Sequence, residues 1–334
     1  MPAWRKLITL VLCLPLVGWG ALALYYSSFS GLPTVVVATG FVALSIAVLV
    51  LFNSWKKALA TFVMLFAMVL MIFFLKKPSN DREWQPDLAI LPYASMEGDN
   101  RITLHNIRNC DYRSESDFTV QYYNKTFDLD NLTSVDLYLV DWGLKHVAHT
   151  MLSFGFNNQD YIAISIEARK ERGESYSTLQ GFFRQYELTY VVADERDLIR
   201  LRTNYRQGET VYLYRVQGSN GLFRQVFLDY FKSINRLREN PEWYNALLTN
   251  CTTQLRGHTR PYYRKVFWDW RLLANGYVDE LAYEVGTIDN SIPFAELKKM
   301  SVINSKAMDA DQAPDFSQRI RDKLPGMKPG LLAH

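Results

Sequence analysis

Three long apolar runs crowd the first quarter of the chain, at residues 7–26, 34–52 and 58–75, and none contains a charged side chain. Each has about the 20 residues that a helix needs to cross a hydrocarbon core. Inside lipid the backbone must satisfy its own hydrogen bonds, so such runs are expected to be helices, with Pro15 kinking the first at most. The alternative, buried helices of a soluble domain, sits poorly with three charge-free runs in succession. Flanking cations set the orientation. Arg5 and Lys6 precede the first run, Lys56 and Lys57 lie between the second and third, and residues 27–33 carry no charge. An excess of cations marks the cytoplasmic side, which places the N-terminus and Lys56 there and everything after Leu75 outside. Lys76 and Lys77 argue the other way, but a long folded domain translocates with little regard for such charges. Ala21-Leu22-Ala23 has the small-residue pattern of a signal-peptidase site, and cleavage there would leave the same final topology.

This gives an expected division into a membrane anchor of three transmembrane helices at 1–77, a polar linker at 78–87, an extracytoplasmic domain at 88–304 and a polar tail at 305–334. The linker, with Pro78, Ser79 and Asn80, reaches about 35 Å at most, which keeps the domain near the membrane surface. Strand patterns occur at 101–106, 118–123, 134–141, 149–156, 161–167 and 210–216, with Asn157 to Asp160 forming a hairpin turn. Helix patterns occur at 178–186 and 195–202. The clearest runs from 221 to 239, where Phe223, Val226, Phe227, Tyr230, Phe231, Ile234 and Leu237 make one apolar stripe ended by Pro241. A further helix is expected from Asn250 and an aromatic-rich one at 262–276. Pro314, Pro325 and Pro329 mark the polar end as loose. Strands first and helices afterwards indicate an α+β domain.

Charge excludes one class of function: the formal net charge of +3 gives no reason to expect nucleic-acid binding. Phosphate-binding glycine loops, Gly-x-Ser-x-Gly and metal-ligand histidine spacings are absent, so neither a cofactor nor a metal is expected. Of the three cysteines, Cys13 lies in the first apolar run, and Cys110 and Cys251 lie in the outer domain, where a disulfide is conceivable. The sharpest local feature is Thr249-Asn250-Cys251-Thr252-Thr253-Gln254-Leu255. With Asn250 or Thr249 as N-cap, Cys251 occupies the first turn of a helix, where unpaired N–H groups and the helix dipole stabilise a thiolate. Those N–H groups, flanked by Asn250 and Thr252, could also hold an oxyanion. A buried, inert cysteine fits the same spacing.

A cysteine nucleophile needs a base, and the outer domain offers His105, His146, His149 and His258. His258 lies two turns along the same helix, too far axially. His149 opens a strand that would fix its ring, and His146 is the runner-up. Glu167, on the next strand, could orient the imidazole or merely pair with an arginine at a strand end. Ser165 and Tyr186 are further polar candidates. Arg169, Lys170 and Arg172 form a basic cluster that could meet lipid headgroups or simply be a solvated face. Tyr263, Val266, Phe267, Trp270 and Leu273, with Arg264, Lys265 and Arg271 beside them, could make an interfacial helix face or a core helix.

These residues also carry a resemblance. Residues 148–156, 165–169 and 250–253, with Phe183-Arg184-Gln185-Tyr186-Glu187 and residues 191–196, resemble the Lnb-type periplasmic domain over about 103–303. That family is similar to circularly permuted papain-like proteins of the NlpC and lecithin:retinol acyltransferase type, in which the histidine precedes the cysteine. The resemblance implies that Cys251 is the nucleophile, His149 the base and Glu167 the third member. It further implies N-acylation of bacterial lipoproteins at the inner membrane, with a phospholipid as acyl donor and a diacylated lipoprotein as acceptor. A periplasmic cysteine hydrolase acting on cell-wall peptides or lipids, and a non-enzymatic membrane-tethered partner protein, are the competing expectations.

Overall fold

The computed structural model describes residues 3–27, 33–260 and 269–327, and the chain divides into two compact units. The first comprises Met1–Ser79, Ser175–Glu187 and Trp243–Ala246. Its core is three helices, α1 (Ala3–Tyr25), α2 (Thr34–Leu51) and α3 (Trp55–Leu75), each long and apolar enough to cross a membrane. Their inner surfaces pack through rings: Trp19 meets Phe66 and Phe73 edge-on at 5.8 and 5.1 Å. Their outer faces stay apolar, with Leu12, Leu51 and Leu75 exposed, as helices solvated by lipid require. The helix expected at 178–186 is only the short α4 (Thr178–Gly181). Beyond it Phe183 buries against Trp19 and Tyr26, and Arg184 donates to the Phe73 carbonyl at 2.9 Å.

The second unit is the outer domain. Its strands are β1 (Tyr93–Glu97), β2 (Arg101–Arg108), β3 (Asp111–Tyr112), β4 (Phe118–Thr119), β5 (Tyr122–Asp128), β6 (Leu132–Asp141), β7 (Ala148–Phe156), β8 (Asp160–Arg169), β9 (Glu187–Asp194) and β10 (Thr210–Arg215). The main sheet runs β1-β2-β9-β8-β7-β6-β10, β5 adds to β2, and β3 and β4 form a separate ribbon. The second candidate strand, 118–123, is thus divided between that ribbon and β5. Strand β9 has no counterpart in the sequence reading. The helices are α5 (Glu195–Arg200), α6 (Asn220–Glu239), α7 (Cys251–Thr259), α8 (Val278–Glu284), α9 (Phe294–Met300), α10 (Asn304–Asp309) and α11 (Phe316–Arg319). The molecule is therefore a mixed α+β fold in which three helices able to span a membrane precede a domain built on one sheet.

Strand alternation divides the domain into two cores. In β6 and β7, Tyr138, Val140 and Met151 face α5 and the C-terminal helices, joined there by Phe316 and Ile320. On the opposite face Phe154 meets Phe227 and Tyr230 of α6. The apolar stripe read from 221–239 accounts for that helix: the same seven residues are its buried set.

Two expectations need correction. Residues 305–334 were expected to be a loose polar tail, yet as far as residue 327 the segment is folded, with Ala307, Ala310, Phe316, Ile320 and Leu324 in the core. Polarity misleads there because Arg321 is buried by pairing: its guanidinium donates to both Glu195 oxygens at 2.7 and 2.6 Å and to Asp136 at 2.9 Å. The linker is not free either. Asn80 donates to the Leu237 carbonyl at 3.1 Å, Gln85 N–H to the Lys170 carbonyl at 3.0 Å, and Trp84 is buried under the Arg169 guanidinium. Cys110 and Cys251 are both free, so no disulfide links them. Residues 262–268 of the aromatic segment at 262–276, including Tyr263, Val266 and Phe267, lie outside the described residues; Trp270–Leu272 and Asn275–Tyr277 are single 3-10 turns.

Candidate functional site

Helix α7 begins at Cys251 because Asn250 closes its N-terminus. The Asn250 side-chain oxygen accepts from Thr252 N and Thr253 N, both at 3.0 Å, while Asn250 N donates to the Thr253 hydroxyl at 2.9 Å. This reciprocal capping box fixes the first turn and sets the Cys251 thiol, only 6% exposed, against β7.

The histidine arrives on β7. Its neighbour β8 runs antiparallel with Met151 opposite Ser165, so extending the register by two residues puts His149 opposite Glu167, on the same face as Ser165. His149 Nε2 lies 2.6 Å from Ser165 Oγ and 3.2 Å from Glu167 Oε1, and Ser165 Oγ donates to Glu167 Oε1 at 2.6 Å. The single hydroxyl proton being committed to Glu167, Ser165 accepts from Nε2–H, and Nδ1 is the nitrogen left for the thiol. Behind Glu167 stands Arg202, donating to the same oxygen at 3.0 Å and to Glu209 at 3.3 Å. Glu209 in turn accepts from Trp142 Nε1 at 2.9 Å, and the Trp142 ring lies beside the imidazole, its centroid 6.5 Å away. Arg202 reaches this position on a π-helical turn, Leu201–Tyr205, that continues α5; such turns recur where a side chain must be re-aimed at a site.

These contacts shift protons. Burial works against charge on His149, but the Glu167 carboxylate and the Cys251 sulfur outweigh it and raise the imidazole to about 9. Burial likewise pushes the Cys251 thiol up. The charge and hydrogen bond of His149, with help from Thr150 N–H and the Thr252 hydroxyl, outweigh that and bring it down to about 7. The Glu167 carboxyl, raised by burial, is held well below the usual carboxylate range by His149, Arg202 and Ser165. Above pH about 7 and below about 9 the two groups therefore stand as thiolate and imidazolium, the nucleophilic form of a cysteine with a proton donor beside it.

Strand, turn and helix that build this cluster all fall inside a segment, residues 118–276, that fits the family model of the Lnb N-terminal periplasmic domain. Over these residues the chain is similar to the Lnb N-terminal periplasmic domain. No curated protein and no solved structure matches it. Three helices able to cross a membrane, followed by a domain of a periplasmic family, make this a membrane protein with a periplasmic-type domain.

Two residues of this cluster escaped the sequence reading. Asn275 accepts from Ala148 N at 2.8 Å, donates to the Thr252 hydroxyl at 3.0 Å and has its amide nitrogen 3.9 Å from the Cys251 sulfur. Only a glycine fits after it, because a Cβ on Gly276 would lie 2.6 Å from the Lys145 carbonyl oxygen. Arg202 is the second. It ended an expected helix, and nothing in its local pattern pointed to Glu167.

Other candidates stand elsewhere. Tyr186 belongs to the first unit, where its buried hydroxyl donates to the Ser175 carbonyl, pairs with Gln180 and accepts from Ser177 N–H; it supports a local turn. Arg169 is not a headgroup ligand: it is 2% exposed, donates to the Leu88 and Ala89 carbonyls and to Asn80, and stacks on Trp84. Arg172 is exposed and Lys170 half-buried on the loop that follows. His146 meets Tyr277 rather than the thiol, and His258 is taken up by Asp229 at 2.7 Å and Tyr190 at 2.6 Å. Among the described residues no cluster of His, Cys, Asp or Glu could hold a metal ion.

Proposed function

We propose that this protein is a cysteine acyltransferase of the bacterial inner membrane that moves a fatty acyl group from a phospholipid to the N-terminal amine of a diacylated lipoprotein. The observation that carries this reading is Cys251 at the capped start of α7 beside His149, the imidazole raised by the Glu167 carboxylate and the thiol lowered by the imidazole. The Cys251 thiolate attacks the ester carbonyl, forming a C–S bond. The oxyanion is met by the Asn275 side-chain amide and by Cys251 N–H, since the Asn250 cap already occupies the Thr252 and Thr253 amides. As the C–O bond breaks, the His149 imidazolium gives its proton to the departing lysophospholipid oxygen, leaving an acyl thioester and a neutral imidazole. The lipoprotein amine then attacks the thioester, His149 takes its proton, and the C–S bond breaks to restore thiolate and imidazolium.

Mass spectrometry of the protein after incubation with phospholipid tests the first half: a fatty acyl group on Cys251 is expected, and none in Cys251→Ala. Adding a diacylated lipopeptide with a free N-terminal amine tests the second half by the appearance of amide-linked product. Fatty acid released equally with and without the lipopeptide, and no N-acylated peptide, would make the protein a hydrolase instead.

A further inference from the structure

On the sheet face opposite His149, the described residues leave a space between α6, α7, α8 and the strands. A cavity of about 160 Å³ opens there, its walls including Leu137, Leu152, Val226, Leu255, Leu281 and Ala282. It is partly open to solvent and its walls are mostly apolar, a surface that favours hydrocarbon over water. The cavity is not remote from the chemistry. Thr252, the residue after the candidate nucleophile, is part of its wall, and Leu152 lies three positions along β7 from His149. Its lining also includes Arg256, in the last turn of α7, and Arg260, which caps that helix. The two guanidinium groups repel one another, which adds to burial in lowering the Arg256 pKa.

We propose that the cavity seats the alkyl chain of the acyl group transferred through Cys251, so that the domain, and not the bilayer alone, selects and shields that chain. The proposal rests on the acyltransferase reading and adds where the chain lies. The carbonyl carbon sits at the sulfur, the first methylenes pass Thr252, and the remainder lies between Leu152, Leu255 and Leu281. Each methylene so buried favours binding by about fourfold, so reactivity toward Cys251 climbs with chain length until the cavity is full.

The test uses the full-length chain in amphipol, free of detergent tails, with p-nitrophenyl acetate and p-nitrophenyl decanoate as acyl donors. Mass spectrometry follows acylation of Cys251. Decanoate is expected to acylate at least tenfold faster than acetate. Ala282→Phe, which fills the cavity, and Val285→Trp, nearer its solvent side, are each expected to lower that ratio at least tenfold, with the thermal transition of each variant reporting its folding. A ratio unchanged in a variant that still unfolds cooperatively overturns the proposal while leaving the acyl thioester intact. Cys251→Ser separates the two ideas, since binding of cis-parinaric acid to it needs no chemistry. Binding that Ala282→Phe abolishes, in a protein whose wild type accepts neither ester, would keep the alkyl site and remove the acyltransferase. Absence of binding overturns the alkyl site.

Discussion

Cys251 owes its character to neighbours that reach it from separate parts of the chain: His149 from β7, Asn250 from the turn before α7, and Asn275 from a 3-10 turn. The first prediction concerns its ionisation. Alkylation of Cys251 by iodoacetamide should rise through a midpoint near 7, where the thiolate forms, instead of the ordinary cysteine value of 9.0. In Glu167→Gln the imidazolium loses the carboxylate that sustains it, so the His149 pKa falls and the thiolate loses its partner. The alkylation midpoint should then move upward from 7 toward 9.0, and acyl transfer at neutral pH should fall at least tenfold. A midpoint that stays put would remove Glu167 from the relay. A second prediction follows from the close approach at Gly276: Gly276→Ala must push Lys145 away or carry Asn275 out of place, lowering acylation while Cys251 alkylation at pH 8 persists. The residues found by sequence were those with local signals, a capped helix start and a histidine opening a strand. Asn275 had none, because its role comes from meeting Ala148 and Thr252 across more than a hundred and across 23 positions of chain respectively.

Among the elements, α7 and the C-terminal helices make contrasting cases. Helix α7 was legible because its cap is written into adjacent residues, and Asn250→Ala should cost about 1 kcal/mol of stability, read as a lower thermal midpoint with a higher Cys251 pKa. The C-terminal segment was misread because its few apolar side chains are spread among polar ones and its firmest tie is a charge. Arg321→Met leaves Glu195 buried without the guanidinium that holds both its oxygens, although Asp136 keeps Arg215 at 2.5 Å. Loss of one partner from such a buried pair costs about 3–5 kcal/mol, so this variant should unfold at a markedly lower urea concentration than Arg319→Met, whose ion pair with Asp315 is exposed. Strand β9 escaped for a different reason. Seven of its eight residues are buried, on both faces, which erases the alternation by which a half-exposed strand is recognised.

For the whole molecule the cation asymmetry makes a directional statement that labelling can check. In a Cys251→Ala background, a cysteine at exposed Ser114 should react with an impermeant maleimide once the outer membrane is opened, and one at Lys56 only after the inner membrane is permeabilised; Cys13 and Cys110 are buried and should stay silent. The reverse pattern would invert the topology. The three spans were the most legible feature of the sequence because lipid imposes a length and forbids charge. The partition of the chain was not, since residues 175–187 and 243–246 belong with the spans although they lie far along the polypeptide. Phe183 is 4% exposed only while Trp19 and Tyr26 cover it, and Arg184 and the Lys76 ammonium bind across to one another's segments, Lys76 donating to the Arg184 carbonyl at 2.8 Å. The anchor is thus not an interchangeable part. A chain that starts at Asn80, or one given a foreign membrane span in its place, would display Phe183 and its neighbours bare and should self-associate on gel filtration. In inheritance as in engineering, the helices and the 175–187 segment have to travel together.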